Sequence, residues 1–312
     1  TGYEGQNANK QNIVKEEISH RRPDKSYSLI FNMRREPFND IAIRKALFSL
    51  VDFNWLNKNL YHDKKDRALT MFPNSRFHAL GSLTENEAKA IGPFRRKMPE
   101  GALSGMLPRL DHNNAQQLRK HYKYADFLLR QAGWVIEDGK RVNKADKRPL
   151  TFEIIVNNTE DEKLALALIR SVKRLGITPT VRRLDSAAFQ GRLQNYDYDA
   201  VINYWSTSLS PGTEQFLYWG CAAAETPSQW NYAGICDPAI EHILNGLVNT
   251  TTAEQLTNHM KVLDRILMNS YIAIPLFRST RDYVAHSEDL VRPSKKALYG
   301  VIIESWWEKP KN

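Results

Sequence analysis

Between Pro149 and Trp205 the hydrophobic period of the chain switches repeatedly between two and 3.6 residues. "PLTFEIIVNN" alternates Phe152, Ile154 and Val156 on one face, as a strand does. "EDEKLALALIRSVKRLGI" has a helical period and meets a stop at Gly176, "TPTVRRL" reads as a strand, "SAAFQGRLQN" as a short helix and "YDAVINYW" as a strand. Strand–helix–strand–helix–strand order restricts the chain to an α/β layer built on a parallel sheet, because parallel neighbours need crossovers of helical length.

The flanks fit the same class. "SYSLIFNM" (26–33) is a strand candidate. "IAIRKALFSLVDFNWLNKNL" reads as one helix from Ile41, with Asp40 as N-cap and Ile43, Leu47, Leu50, Val51 and Trp55 on one face. Residues 62–114 form a long decorated connection with a short helical piece, "TENEAKAIG". "AQQLRKHYKYADFLLRQAGW" is an amphipathic helix stopped by Gly133, and "WVIEDGKRVN" turns at Asp138-Gly139 as a hairpin. Helices are expected over 238–249 and 253–270, followed by an extended "AIPLF".

At 312 residues the chain can bury one large core or two medium ones. No apolar run is long enough to span a membrane, and the amino end lacks the basic and apolar regions of a signal peptide. Residues 1–150 carry 28 Lys and Arg against 17 Asp and Glu, while the remainder carries 16 against 18. The basic residues are interspersed with acids, which favours a solvated basic face over nucleic-acid binding. The eight histidines are scattered, and there is no HExxH, GxSxG, GxxxxGK[ST] or GxGxxG motif. The chain is therefore read as a binding protein and not an enzyme, with no metal and no cofactor. The acids of "TEDE" (159–162) are assigned to the amino end of a helix, which favours negative charge, and "YDYD" (196–199) to a solvated turn. Cys221 and Cys236 either form one bridge or are two separate buried thiols.

The candidate site is "NYWSTSLSPGTEQFLYWGC" (203–221), which starts at the carboxyl end of a sheet strand, where open α/β sheets place their ligands. Pro211 and Gly212 argue against a helix there. Asn203, Tyr204, Trp205, Ser206, Thr207, Ser208, Tyr218 and Trp219 are candidate ligand residues, although one of Tyr204 and Trp205 must point into the core because neighbours on a strand face opposite ways. Arg34 and Asn32, at the end of the first strand, are further candidates, with Arg34 suited to a carboxylate or phosphate.

These segments together resemble a known family. "FNMRREPFNDIAIRKALFSLVDFNWLNKNLY" (31–61) and "YADFLLRQAGWVIEDGKRV" are similar to signatures of the family 5 extracellular solute-binding proteins, the oligopeptide and dipeptide receptors of ABC importers. "WSTSLSPGTEQFLYWGCAAAETPSQWNYAGICDPAIE" looks most like the YejA-like subgroup through Trp205, Pro211, Gly212, Trp219-Gly220 and Asn231–Gly234. The resemblance implies a carboxyl-terminal portion of a two-lobed, type II (cluster C) periplasmic-binding-protein fold. That portion would be mostly lobe two, with a mixed sheet flanked by helices, plus part of lobe one. Residues 1–33 would be part of lobe one with the first hinge strand, 34–276 lobe two, and 277–312 the return segment of lobe one. The hinge would involve Met33, Arg34, Pro275 and Phe277.

The family implies a periplasmic, monomeric receptor, with a signal peptide upstream of this portion, that hands a peptide ligand to an inner-membrane ABC permease and ATPase complex. The same fold as the sensing half of a transcription regulator is the alternative. In the oligopeptide-binding branch an Asp after the Trp pairs with the ligand's α-amino group. Ser206 to Ser210 stand there instead, which points to amino-blocked or modified peptides. Set against the family pattern, Cys221 and Cys236 are expected to be a disulfide pair.

Overall fold

Every strand expected between Pro149 and Trp205 forms, and so does each helix between them. The structure is a computed structural model that describes residues 13–99, 101–104, 114–295 and 297–310. The chain runs through β1 (Ile13–Ser19), β2 (Ser26–Phe31), α1 (Ile41–Phe48), α2 (Phe53–Tyr61), β3 (Asp66–Arg67), α3 (Glu85–Ile91) and α4 (Ala115–Gln131). The hairpin β4 (Trp134–Glu137) and β5 (Lys140–Asn143) leads to β6 (Glu153–Val156), α5 (Thr159–Lys173), β7 (Thr180–Arg183), α6 (Ser186–Gln194) and β8 (Ala200–Trp205). The helices α7 (Glu214–Trp219), α8 (Cys221–Glu225), α9 (Pro238–Val248) and α10 (Ala253–Asn269) follow. The chain ends in β9 (Ala273–Pro275), β10 (Phe277–Arg278), β11 (Arg281–Ser287), β12 (Leu290–Val291) and β13 (Trp307–Glu308).

Five strands make one sheet in the order β7-β6-β8-β2-β9. β6 is parallel to β7 and β8, whereas β2 is antiparallel to both of its neighbours, β8 and β9. The sheet is thus mixed. Period-2 alternation splits its side chains between two cores. Leu29, Phe31, Ile154, Val156, Ala200, Ile202 and Ile274 pack against α1, α2, α4 and α5 on one face. Ile30, Ile155, Val201, Trp205 and Ala273 pack against α3, α6, α9 and α10 on the other. The result is a three-layer sandwich of helices, sheet and helices.

Three local expectations change. The single helix over 41–60 is two: α1 ends at Ser49, and Asp52 accepts a 2.9 Å hydrogen bond from the Trp55 N–H to cap α2. The new helix axis turns Trp55 outward, 40% exposed beneath the Arg170 guanidinium. Within 203–221, Pro211-Gly212 does break the chain, but α7 and α8 then form. In "YDYD", Tyr196 and Tyr198 are buried; the Tyr196 hydroxyl reaches the Ala223, Thr226 and Gln229 carbonyls.

β2 is bonded on both edges inside this sheet, to β8 and β9. Beyond it, β1 and β11 pair antiparallel from Ile13↔Ser287 to Ser19↔Arg281, outside the five-stranded sheet. The chain crosses between ribbon and sheet at 20–25 and 276–280. The crossings are joined by the His20 N–H to the Thr280 carbonyl, the Asp24 carboxylate accepting from the Ser279 N–H, and a two-pronged Arg22–Asp282 pair at 2.7 and 2.8 Å.

The decorated connection is held by charges that sequence periodicity could not reveal. Asp264 of α10 is completely buried and accepts from the Thr70 hydroxyl and the Met71 and Ala79 N–H groups at 2.8–2.9 Å. Its neighbour Arg265 pairs with Glu87 at 2.9 Å, both buried, and donates to the Gly81 carbonyl. Gly176 permits a comparable close approach: its φ is +76°, and a Cβ there would sit 2.8 Å from the Arg141 nitrogen.

Asp264→Asn places an amide among three donors and strands at least one of them, a loss of about 2 kcal/mol in chemical denaturation. Burial pushes the Asp264 pKa up to about 6, even though its donors favour the ionised form. The folded carboxyl therefore takes up its proton before the unfolded one as pH falls, so its contribution grows between about pH 6 and pH 4. The deficit of Asp264→Asn should widen over that range; a pH-independent deficit contradicts this account.

Candidate functional site

At the Trp205 end of the sheet, β6 and β8 finish, β2 begins, and the chain leaves β9 for β10. Their ends leave a cleft of about 920 Å³. Asn157 and Asn158 follow β6 directly, and the Asn158 side chain caps α5 by accepting from the Asp161 N–H at 2.8 Å. Asn203 and Tyr204 come from β8; Asp24, Lys25 and Tyr27 from the entry into β2; and Phe277, Arg278 and Ser279 from the exit after β9. Leu60, Tyr61, Phe189 and Ile202 complete an apolar floor. The site therefore sits where ligands bind in open α/β sheets.

Its polar chemistry is that of phenols, carboxamides, ammonium and guanidinium groups, and the carboxylates of Asp24, Glu160 and Asp161. The Tyr27 hydroxyl donates to the Asp161 carboxylate. Burial, reinforced by that bond, pushes the Tyr27 phenol far above its ordinary value. Burial and the nearby Asp161 charge push Tyr61 up to about 12. Both phenols are thus neutral donors at physiological pH. Tyr204 is 45% exposed, and the Lys25 ammonium lies 4.6 Å above its ring and 5.6 Å from that of Tyr27. Asn203 reaches the phenol of Tyr232, which burial pushes up to about 12. Among the described residues, no group of three or more His, Cys, Asp or Glu side chains could hold a metal ion.

The structure separates the candidates read from the sequence. Tyr204, Asn203 and Phe277 line the cleft. Trp205 does not: it is buried, its indole N–H donates to the Trp230 carbonyl at 2.8 Å, and it stacks on Trp219 and Tyr232. Trp219 and Tyr218 belong to the same aromatic core, with Trp219 donating to Gln215. Ser206 and Ser208 are exposed in the turn after β8; the Ser208 hydroxyl accepts from the Ser210 N–H, and Thr207 donates to the Asp24 carbonyl at 2.6 Å.

Asn32, Met33 and Arg34 lie beyond the Phe31↔Ala200 pair, at the opposite end of β2 from the cleft. Asn32 donates to the Tyr196 and Tyr198 carbonyls, and the Met33 N–H to the Ala233 carbonyl. Arg34 stacks 3.6 Å over Tyr196 and donates to the Ala224 and Asn231 carbonyls. All three tie β2 to the 196–234 region of the same layer. Asn32, Met33 and Arg34, read from the sequence as ligand or hinge residues, thus lie away from the cleft and the crossings, while Pro275 ends β9 just before the second crossing and Phe277 lies within it.

Lys25, Tyr27, Tyr61 and Arg278 are cleft residues that the sequence does not single out. One signal was available: "NN" after the β6 run, at a strand-to-helix junction on the carboxyl edge. Asp161, assigned to a helix amino end, is there and also faces the cleft.

Behind the aromatic core, Cys221 and Cys236 are joined in a disulfide with their Cα atoms 4.4 Å apart. The loop it closes is also bridged by Asn231, which donates to the Gly220 and Ile235 carbonyls and accepts from the Ile235 N–H.

Comparison with known proteins adds to this geometry. Residues 3–227 match the family described as bacterial extracellular solute-binding proteins, family 5 Middle. The chain is 32% identical to the peptidoglycan-binding protein YepA of Agrobacterium fabrum, over 95% of this chain and 48% of that protein. It is 28% identical to the probable peptide-binding protein YejA of the same organism, over 98% and 50%. The chain thus spans about half the length of the curated relatives it matches. Among solved structures, the oligopeptide-binding protein AppA of Bacillus subtilis, in complex with a nonapeptide, superposes with a TM-score of 0.71 at 18% identity, over 96% of this chain and 53% of that one. DppA of Helicobacter pylori, in complex with the peptide STSA, gives 0.64 at 16% identity, over 96% and 49%.

The division between core and cleft aromatics can be measured. Trp205→Ala should cost about 3–5 kcal/mol of stability. Tyr204→Ala should stay within about 0.5 kcal/mol, and equal losses at the two positions would contradict the assignment. Replacing both cysteines by Ser should cost about 3 kcal/mol on the chain-entropy account of this loop, while two thiols alkylated in the unreduced, unfolded chain would disprove the bridge.

Proposed function

The chain belongs to the bacterial extracellular solute-binding proteins of family 5, and on that premise we propose that it is the carboxyl-terminal portion of a periplasmic receptor that captures peptides and delivers them to an ABC importer. It performs no chemistry of its own on the ligand. The reading rests above all on the position of the cleft: it lies where the parallel strands end and where both chain crossings pass, so a second lobe swinging about 20–25 and 276–280 would close over it. Neutral phenols and carboxamides on an apolar floor suit a peptide backbone, which offers alternating donors and acceptors. The transcription-regulator alternative draws no support from these relatives.

The ligand is an amino-blocked or otherwise modified peptide. Ser206 to Ser210 contain no carboxylate, and Thr207 is bonded to the Asp24 carbonyl, so this segment offers no anchor to a free ammonium. The similarity to a relative named as a peptidoglycan-binding protein supports a ligand other than a plain free peptide. Isothermal titration of the full-length protein should show N-formyl or N-acetyl peptides binding at least as tightly as their free-amino counterparts. Tight binding of free-amino peptides with none of the blocked forms would refute it.

A further inference from the structure

The charges around the cleft are of two kinds. Its carboxylates are largely engaged by the protein itself. Asp24 accepts from the backbone N–H groups of Ser279 and Lys25, and Asp161 accepts from the Tyr27 hydroxyl and the Asn158 amide. Glu160 remains, exposed in the first turn of α5, where the helix end favours a negative charge.

The cations are differently placed. Lys25, Lys65, Lys163 and Arg278 all line the cleft. Among the described residues, the ion pairs within 4.0 Å that secure Arg22, Arg141, Arg148, Arg182 and Arg192 have no counterpart at these four. Lys25 rests over the Tyr204 and Tyr27 rings and Lys65 over Tyr61 at 6.0 Å, contacts that hold an ammonium without neutralising it. Arg278 donates one Nη to Asn74 at 2.9 Å, while its Nε is buried with no hydrogen-bond partner.

The lining therefore carries four cations against three carboxylates, and two of those carboxylates, Asp24 and Asp161, already spend lone pairs on neutral donors of the protein. We propose that the cleft selects anionic peptides, with at least two ligand carboxylates held by Lys25, Lys65, Lys163 and Arg278. This deepens the peptide-receptor reading and rests on it. Closure over the ligand would strengthen each pair by excluding water, and the apolar floor would take the uncharged part of the chain.

The test titrates the full-length protein with two probes of matched shape, N-acetyl-Ala-Glu-Glu and the uncharged N-acetyl-Ala-Gln-Gln-amide. The acidic peptide should bind at least about tenfold more tightly at low salt, and the gap should shrink as ionic strength rises. Lys25→Gln, Lys163→Gln and Arg278→Gln should each weaken the acidic peptide by about three- to tenfold and leave the neutral one unchanged. Lys58→Gln, outside the cleft, should alter neither. Equal affinity for the two probes on the unsubstituted protein overturns the charge assignment while sustaining the peptide reading; binding of neither probe overturns both.

Discussion

Strand β2 runs against both of its neighbours, and the placing of the cleft depends on that reversal. In a sheet of parallel strands alone, the chain would enter each strand on the edge opposite its exits. Because β2 is antiparallel, its entry at Ser26 lies beside the exit of β8 at Trp205 and close to that of β9, where Pro275 pairs with Ser28. Both segments linking the sheet to the β1–β11 ribbon therefore emerge on the carboxyl edge of β6, β8 and β9. A binding cleft and a pair of crossings at the same edge are one topological fact. The pairs Asp24–Ser279, His20–Thr280 and Arg22–Asp282 join the two crossings to each other, so any motion there must involve both.

Holding β2 in place takes anchors at its far end, and this is the work of residues that looked functional. Asn32, Met33 and Arg34 bind carbonyls from the 196–234 region, and Gly234, at φ +70°, leaves the room that the Arg34 side chain occupies. An Arg at a strand end is ambiguous in sequence, because carbonyl oxygens and ligand carboxylates ask for the same donors. Only topology, which puts Phe31 opposite Ala200, decides between them.

The α/β order, the hairpin at Asp138-Gly139, the stops at Gly133 and Gly176, and most helices were legible because each rests on local periodicity or local turn chemistry. The break between α1 and α2 was not, since an apolar stripe continues through Leu50 and Val51 while the Asp52 cap competes with it. The buried Asp264 and the Arg265–Glu87 pair were illegible for another reason: their partners lie far away in sequence, and an Asp-Arg step in an amphipathic helix otherwise reads as surface. The β1–β11 ribbon escaped because its strands are more than 260 residues apart and only half-buried.

Tyr204 and Trp205 show how far alternation alone can reach. Period two says that they face opposite ways, not which faces inward. Trp205 shares a face with Val201 and is covered by α9, α10 and the Trp219 stack. Tyr204 continues the face of Ala200 and Ile202, but it projects past the helices that bury them and so reaches the cleft. The hydroxylated turn that follows works inward: Thr207 joins the exit of β8 to the Asp24 carbonyl at the first crossing, and Asp24 in turn holds Ser279 at the second. A carboxylate in that turn could greet an ammonium; here the turn secures the crossings instead, and the charged groups that line the cleft, four cations and three carboxylates, come from other segments.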